Sequence, residues 1–290
     1  MKKIFIFIFV LVAGFVAGFY LKDSAIRLYN DFNKKVENFH KNEFGLLEKE
    51  LGEKILAPLP LNIGGKDTQV VLVKSKIISE TNLQRQENGS LPPLKENTLL
   101  DQAAAAKAND MFTKQYFEHV SPSGIDPGKL VSGYGYTYIL AGENLILGNF
   151  SSEKDAVQNW MDSPGHRANI LNNRYTEIGV AIIKGTYNGQ TVWIGVQEFG
   201  LPLSACPQPD DNLKNQIDAD KAKLDSMSIQ IDAGKKQIDE TSPRSSAYSQ
   251  MLDDYNQLVA QYNSLAEQTK TNVTNYNNEV NTFNSCVTEN

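Results

Sequence analysis

Cysteine is all but missing from this chain, with two residues in 290, too few for the stapled framework of a small secreted domain. Histidine is almost as scarce, at three. No His-Glu-x-x-His pair occurs among them, which removes the helical zinc-protease signature. A Gly-x-Ser-x-Gly elbow is also missing, so no motif supports a serine hydrolase. The formal charge is -6 and no basic block interrupts it, which leaves a nucleic-acid partner without an electrostatic footprint. What remains is a chain with 41% hydrophobic residues, long enough to bury a core and carry sizeable appendages.

A long apolar run does occur, from Ile4 to Leu21 behind Lys2 and Lys3. It predicts a signal peptide or signal anchor over residues 1–21. About 18 apolar residues just suffice to span a bilayer, and no small-x-small cleavage site precedes the polar part, which favours an uncleaved anchor. The lysines then stay inside and everything after Leu21 is extracytoplasmic. Tyr29, Phe32, Val36, Phe39, Leu47, Leu51 and Ile55 follow at helical spacings and predict a juxtamembrane amphipathic helix over 22–57, with His40 on its solvated side. Pro58, Pro60 and Gly64-Gly65 mark a linker over 58–75, in which Val70 to Val73 suggests a short strand.

Residues 76–203 hold both tryptophans and most of the glycines and read as the folded domain. A polar helix around Ile77 to Gln86 leads to an alanine-rich helix from Thr98 to Gln115, and another helix runs through Ala156, Val157 and Trp160. Two alternating runs, Ile178-Val180-Ile182 and Val192-Ile194-Val196, flank Asn188-Gly189, the strongest short hairpin signal. Helices mixed with antiparallel strands predict an α+β fold. Over 204–290, Leu213, Ile217, Leu224, Met227, Ile231 and Ile238 recur in heptads, with Asp220 and Gly234 as weak core positions. Tyr248, Met251, Tyr255, Leu258, Tyr262 and Leu265 resume the pattern after a short turn, which predicts an antiparallel coiled-coil hairpin.

Cys206 and Cys286 flank that hairpin. From the turn, residue 210 faces about residue 275, leaving roughly 16 Å of helix to Cys286. The extended segment from Cys206 to Asp210 covers about 13 Å. The match predicts a disulfide that ties the open end of the hairpin.

Two histidines stand in the domain, in Phe-Glu-His119-Val-Ser-Pro-Ser-Gly and Ser-Pro-Gly-His166-Arg-Ala-Asn. In the second, Ser163 or Asp162 caps a short helix with Pro164 at its first position, placing His166 in the first turn. Ala-Gly-Glu143-Asn-Leu lies between them and Tyr-Thr-Glu177-Ile-Gly follows. Two imidazoles and two carboxylates make a set suited to holding a metal or to acid/base work. Taken one by one, each residue is equally open to a packing or turn-capping role.

These elements, with Asn-Trp-Met-Asp-Ser-Pro-Gly-His-Arg-Ala-Asn-Ile-Leu, Glu-Ile-Gly-Val-Ala and Val-Gln-Glu-Phe-Gly, resemble the bacterial branch of the CAP superfamily. That superfamily comprises the cysteine-rich secretory, antigen 5 and pathogenesis-related 1 proteins, also called SCP-like extracellular proteins. The resemblance covers about Lys76 to Leu203. It implies an α-β-α sandwich and a cleft lined by His119, Glu143, His166 and a fourth carboxylate. The eukaryotic pattern puts that carboxylate where this chain has Ser163, so Glu177 stands in by proximity alone. Some members bind zinc or another divalent cation through the paired histidines, here His119 and His166, and others bind sterols or lipids. The expectation is a surface-anchored binding or interaction module for an extracellular protein, lipid, small molecule or cation. The alternatives are a metal-assisted hydrolase with Glu143 or Glu177 as base and a structural surface protein.

Overall fold

A computed structural model describes residues 55–67 and 69–289. The expected segment over 1–21, His40 and all but the end of the expected helix over 22–57 lie outside the described residues. That end is not helical: Ile55, assigned to the helical stripe, begins strand β1 (Ile55–Leu56), and β2 (Leu61–Gly64) follows. Pro58 and Pro60 separate the two because neither has an amide hydrogen for a ladder.

Val70 to Val73 forms no strand. Instead Leu72 is buried and Val73 is the extended residue that precedes helix α1 (Lys74–Gly89). The chain continues through β3 (Lys95–Glu96) into α2 (Thr98–Lys114), where the Asn97 side chain accepts from the amides of Leu99 and Leu100. Helix α3 (Pro127–Gly133) leads to β4 (Tyr138–Gly148), buried along its whole length. Helices α4 (Glu153–Asp162) and α5 (Pro164–Ile170) follow, then β5 (Glu177–Tyr187) and β6 (Gln190–Pro202). Asn188 and Gly189 join the last two with φ of 50° and 76°, the two positive values that a type I′ hairpin turn requires.

The sheet order is β1-β4-β6-β5-β3, with β2 also on β4. Pairing of β6 with β4 and β5 is antiparallel, whereas β1, β2 and β3 are added in parallel. One face receives α2, whose Ala104, Ala108 and Met111 pack on Leu145, Ala181, Ile194 and Val196. The small side chains bring α2 close. At Gly179 a Cβ would collide with the α2 backbone at Leu100 and Asp101, and Asp101 Oδ1 accepts from the Val180 amide at 2.9 Å. On the other face Ile77, Ile78, Trp160 and Ile170 from α1, α4 and α5 meet Ile146, Val180 and Phe199. The fold is α+β, with helices on both sides of one sheet.

Buried Arg85 fixes the position of α5. Its guanidinium donates to the carbonyls of Pro92, Ile170 and Asn172 at 3.0, 2.7 and 2.8 Å, and so holds the C-terminal end of α5 against α1.

Residues 209–282 form a separate compact unit among the described residues. Helix α6 (Asp211–Glu240), capped by Asp210, runs antiparallel to the matching part of α7 (Tyr248–Glu289). Ile217 meets Tyr276 and Val280, while Leu224 and Met227 meet Tyr262. Asp220, a weak position in the heptads, is buried and accepts from Gln216 Nε2 at 2.8 Å.

The last residues of α7 belong to the first unit, whose core takes in Phe283, Cys286 and Val287. Cys206 and Cys286 are bonded, with Cα atoms 5.8 Å apart. The bridge therefore lies within the first unit and closes the loop that carries the second. A loop of 80 residues loses chain entropy worth about 4 kcal/mol when closed. Urea unfolding of the oxidised protein and of Cys206→Ser/Cys286→Ser is expected to show a loss of about that size. An unchanged midpoint would assign the bridge no stabilising role.

Candidate functional site

The site forms where the edge of β4 meets the loop after α2 and the start of α5. His119, on that loop, brings Nδ1 within 2.6 Å of Glu143 Oε1. Its Nε2 contacts the carbonyl oxygen of Pro58. The loop is held by Lys107, which is buried on α2 and whose Nζ donates to the His119 carbonyl at 2.5 Å. Burial lowers the affinity of this ammonium for its proton, and Glu143 and Glu198 act in the opposite direction.

Glu143 is fully buried on β4, and the antiparallel register puts Glu198 of β6 directly opposite it, also fully buried. Glu143 Oε2 and both Glu198 oxygens receive no hydrogen from any other described residue. Two facing carboxyls without a donor between them cannot both ionise at low cost. Burial first, and the Glu143 carboxyl second, raise the Glu198 pKa well above the usual carboxylate range.

His166 is buried in the first turn of α5. Ser163 stands at the N-cap, but its hydroxyl bonds His166 Nδ1 at 2.8 Å instead of a backbone amide. The ring's Nε2 makes no hydrogen bond of ordinary geometry. Burial, then the neighbouring His119, push the His166 pKa down to about 4, with the Leu145 backbone opposing them only in part. The ring is therefore neutral at physiological pH.

The structure thus brings together His119, Glu143 and His166. Glu177 does not join them: its Oε2 accepts from Tyr136 Oη at 2.8 Å and Asn97 Nδ2 at 3.1 Å, at the first position of β5 opposite Gly200. The carboxyl that faces Glu143 is Glu198. The alternation Val192, Ile194, Val196 continues to residue 198 and places it on the buried face. Lys107 shows the same signal, three residues from Ala104 and four from Met111 on the apolar stripe of α2.

Residues 78–199 match the CAP family, described as the Cysteine-rich secretory protein family. Over this segment the chain is similar to bacterial CAP domains. Its relatives include the uncharacterized protein YkwD of Bacillus subtilis, 39% identical over 117 residues that make up 40% of this chain and 45% of that protein. Similarity to the uncharacterized membrane protein YlbC of the same organism is 32% over 115 residues, 39% of this chain and 32% of that one. The chain spans less than half the length of these curated relatives. A solved extracellular protein containing an SCP domain from Bacillus anthracis is 30% identical, with 44% of this chain and 39% of that chain covered and a TM-score of 0.37.

Both His119 nitrogens already face oxygen atoms, and among the described residues no three His, Cys, Asp or Glu side chains are grouped to share an ion.

The carboxyl pair has a pH signature. A group whose pKa is raised by folding binds more protons folded than unfolded, so stability falls as pH rises above the free value of 4.5. The depressed His166 pKa acts with the opposite sign between about 4 and 6.5 and cancels between wild type and a Glu198 variant. Glu198→Gln is expected to flatten the alkaline decline and to stabilise the protein at pH 7.5 by about 1–3 kcal/mol, the range for relieving a buried group without a partner. Denaturant titrations from pH 4.5 to 8 check this, and parallel curves for the two proteins would refute it.

Proposed function

We propose that this protein is an extracytoplasmic binding module whose His119–Glu143–His166 cleft grips a ligand without transforming it. The observation that carries this reading is the use of His119. Its ring donates to a carbonyl oxygen and leans on a buried carboxyl, an arrangement suited to holding an acceptor.

Hydrolysis draws less support. The Ser163 hydroxyl bonds an imidazole whose pKa near 4 makes it a weak general base at neutral pH, and no carboxylate orients that ring. The disulfide supports an oxidising compartment, in line with the charged and apolar pattern of residues 1–21. No helix among the described residues is long and apolar enough to cross a membrane. In the second unit the apolar residues of α6 and α7 are satisfied against each other, which supports a spacer role.

The full chain, assayed on casein and on cell-wall glycan with and without chelator, is expected to match its His119→Ala/His166→Ala variant, with no turnover in either. Chelator-sensitive cleavage that vanishes in the variant would replace binding by catalysis.

A further inference from the structure

The segment Ile55–Gly65 lies along the edge of β4 as a bound peptide would. Its two ends pair in parallel with β4, Ile55–Leu56 on Ala141–Gly142 and Leu61–Gly64 on Ile146–Gly148. Between them Ala57–Pro60 passes over the His119–Glu143 pair without joining the ladder. Two side chains and one main-chain amide of the domain hold the segment by its main-chain oxygens. Asn169 Nδ2 donates to Leu56 O at 2.9 Å, His119 to Pro58 O, and the Asn149 amide to Gly64 O at 2.8 Å.

The surface beneath is shaped for these contacts. A Cβ on Gly165 would lie 2.6 Å from Pro58 Cβ, and one on Gly128 or Gly148 would collide with Ile55 or Ile63. Yet no residue of the segment is fully buried, and Leu59 is 88% exposed. Recognition therefore rests on carbonyl acceptors, a strand edge, one proline ring and the partly buried Ile55, Leu61 and Ile63, the means by which sheet edges take up extended peptides. The grip is local and has no fully buried anchor, unlike the apolar core that holds β5 and β6.

From this we infer that the cleft is a receptor for an extended, proline-bearing polypeptide, with residues 55–65 as its occupant in cis. The inference names the ligand class for the binding reading and rests on it. A tethered occupant competes at millimolar effective concentration, so a peptide in trans binds well only when the tethered segment is weakened or outcompeted.

The test uses the full chain and a fluorescent peptide of residues 55–65. Ile55→Asp/Ile63→Asp weakens the tethered segment and leaves His119, Glu143, Asn169 and Gly165 in place. The peptide is expected to bind this variant at least tenfold more tightly than wild type, and adding Gly165→Val is expected to abolish binding. Hydrogen exchange of the unaltered protein provides a second measurement that needs no variant. The amides of Leu61 to Gly64 are expected to exchange at least a hundredfold faster than the β5–β6 ladder, through local release. Failure of the peptide to bind a folded variant, or exchange of those amides only with the β5–β6 ladder, would overturn the inference. Either failure leaves the turnover assay, and with it the choice between binding and catalysis, unaffected.

Discussion

The structure depends on two neighbouring rungs of the β4–β6 ladder that bury polar side chains on opposite faces of the sheet. Glu143 faces Glu198 on the α2 side, and Asn144 faces Gln197 on the other. All four are fully buried, so each must find partners inside the protein. The amide side succeeds through a chain of bonds. Asn144 Nδ2 donates to Gln197 Oε1 and to the His166 carbonyl, both at 3.1 Å, and Asn169 Nδ2 donates to Asn144 Oδ1 at 3.0 Å. Gln197 Nε2 donates to Thr81 Oγ1 at 2.8 Å, so α1, α5 and the sheet share one network. The carboxyl side is incompletely satisfied. One of its oxygens is answered by His119, and that shortfall of donors organises the cleft.

This division explains how two histidines from different layers come to neighbour each other. His119 arrives from the α2 side, and α5 is drawn to β4 by the Asn169 bonds and held against α1 by Arg85. They meet at the edge because, among the described residues, β4 has no further antiparallel strand beyond it, only the short parallel additions β1 and β2. An edge with free amides and carbonyls invites pairing with another chain. Residues 55–65 cover it, and Pro58 and Pro60 keep the covering segment from becoming a full strand.

Much of this was legible in the sequence where a local rule and the tertiary fold agree. Asn188-Gly189 gave the hairpin, the alanines of residues 103–106 gave the close-packed helix, and the two cysteines gave the bridge. Strand β4 was not, because Tyr138 to Gly148 is buried on both faces and shows no alternation to read. Ile55 was misassigned because its spacing from Leu51 and Leu47 is helical, while its pairing partner, Ala141, is 86 residues away. Glu177 stood in as the fourth cleft carboxylate, and Glu198 went unconsidered, because nearness in sequence replaced register. In an antiparallel sheet the opposite residue is set by the hairpin, and a single register places residue 198 across from both Glu143 and Gly179.

Proton accounting gives the cleft its chemical character. The Pro58 carbonyl can only accept, so His119 Nε2 carries a hydrogen, and the contact between Nδ1 and Glu143 must hold another on one partner or the other. The facing Glu198 favours its protonated form, and buried Lys107 supplies the local cation. The hydrogen on His119 Nε2 is therefore directed at an oxygen acceptor. The acceptor that it meets is the main-chain carbonyl of Pro58.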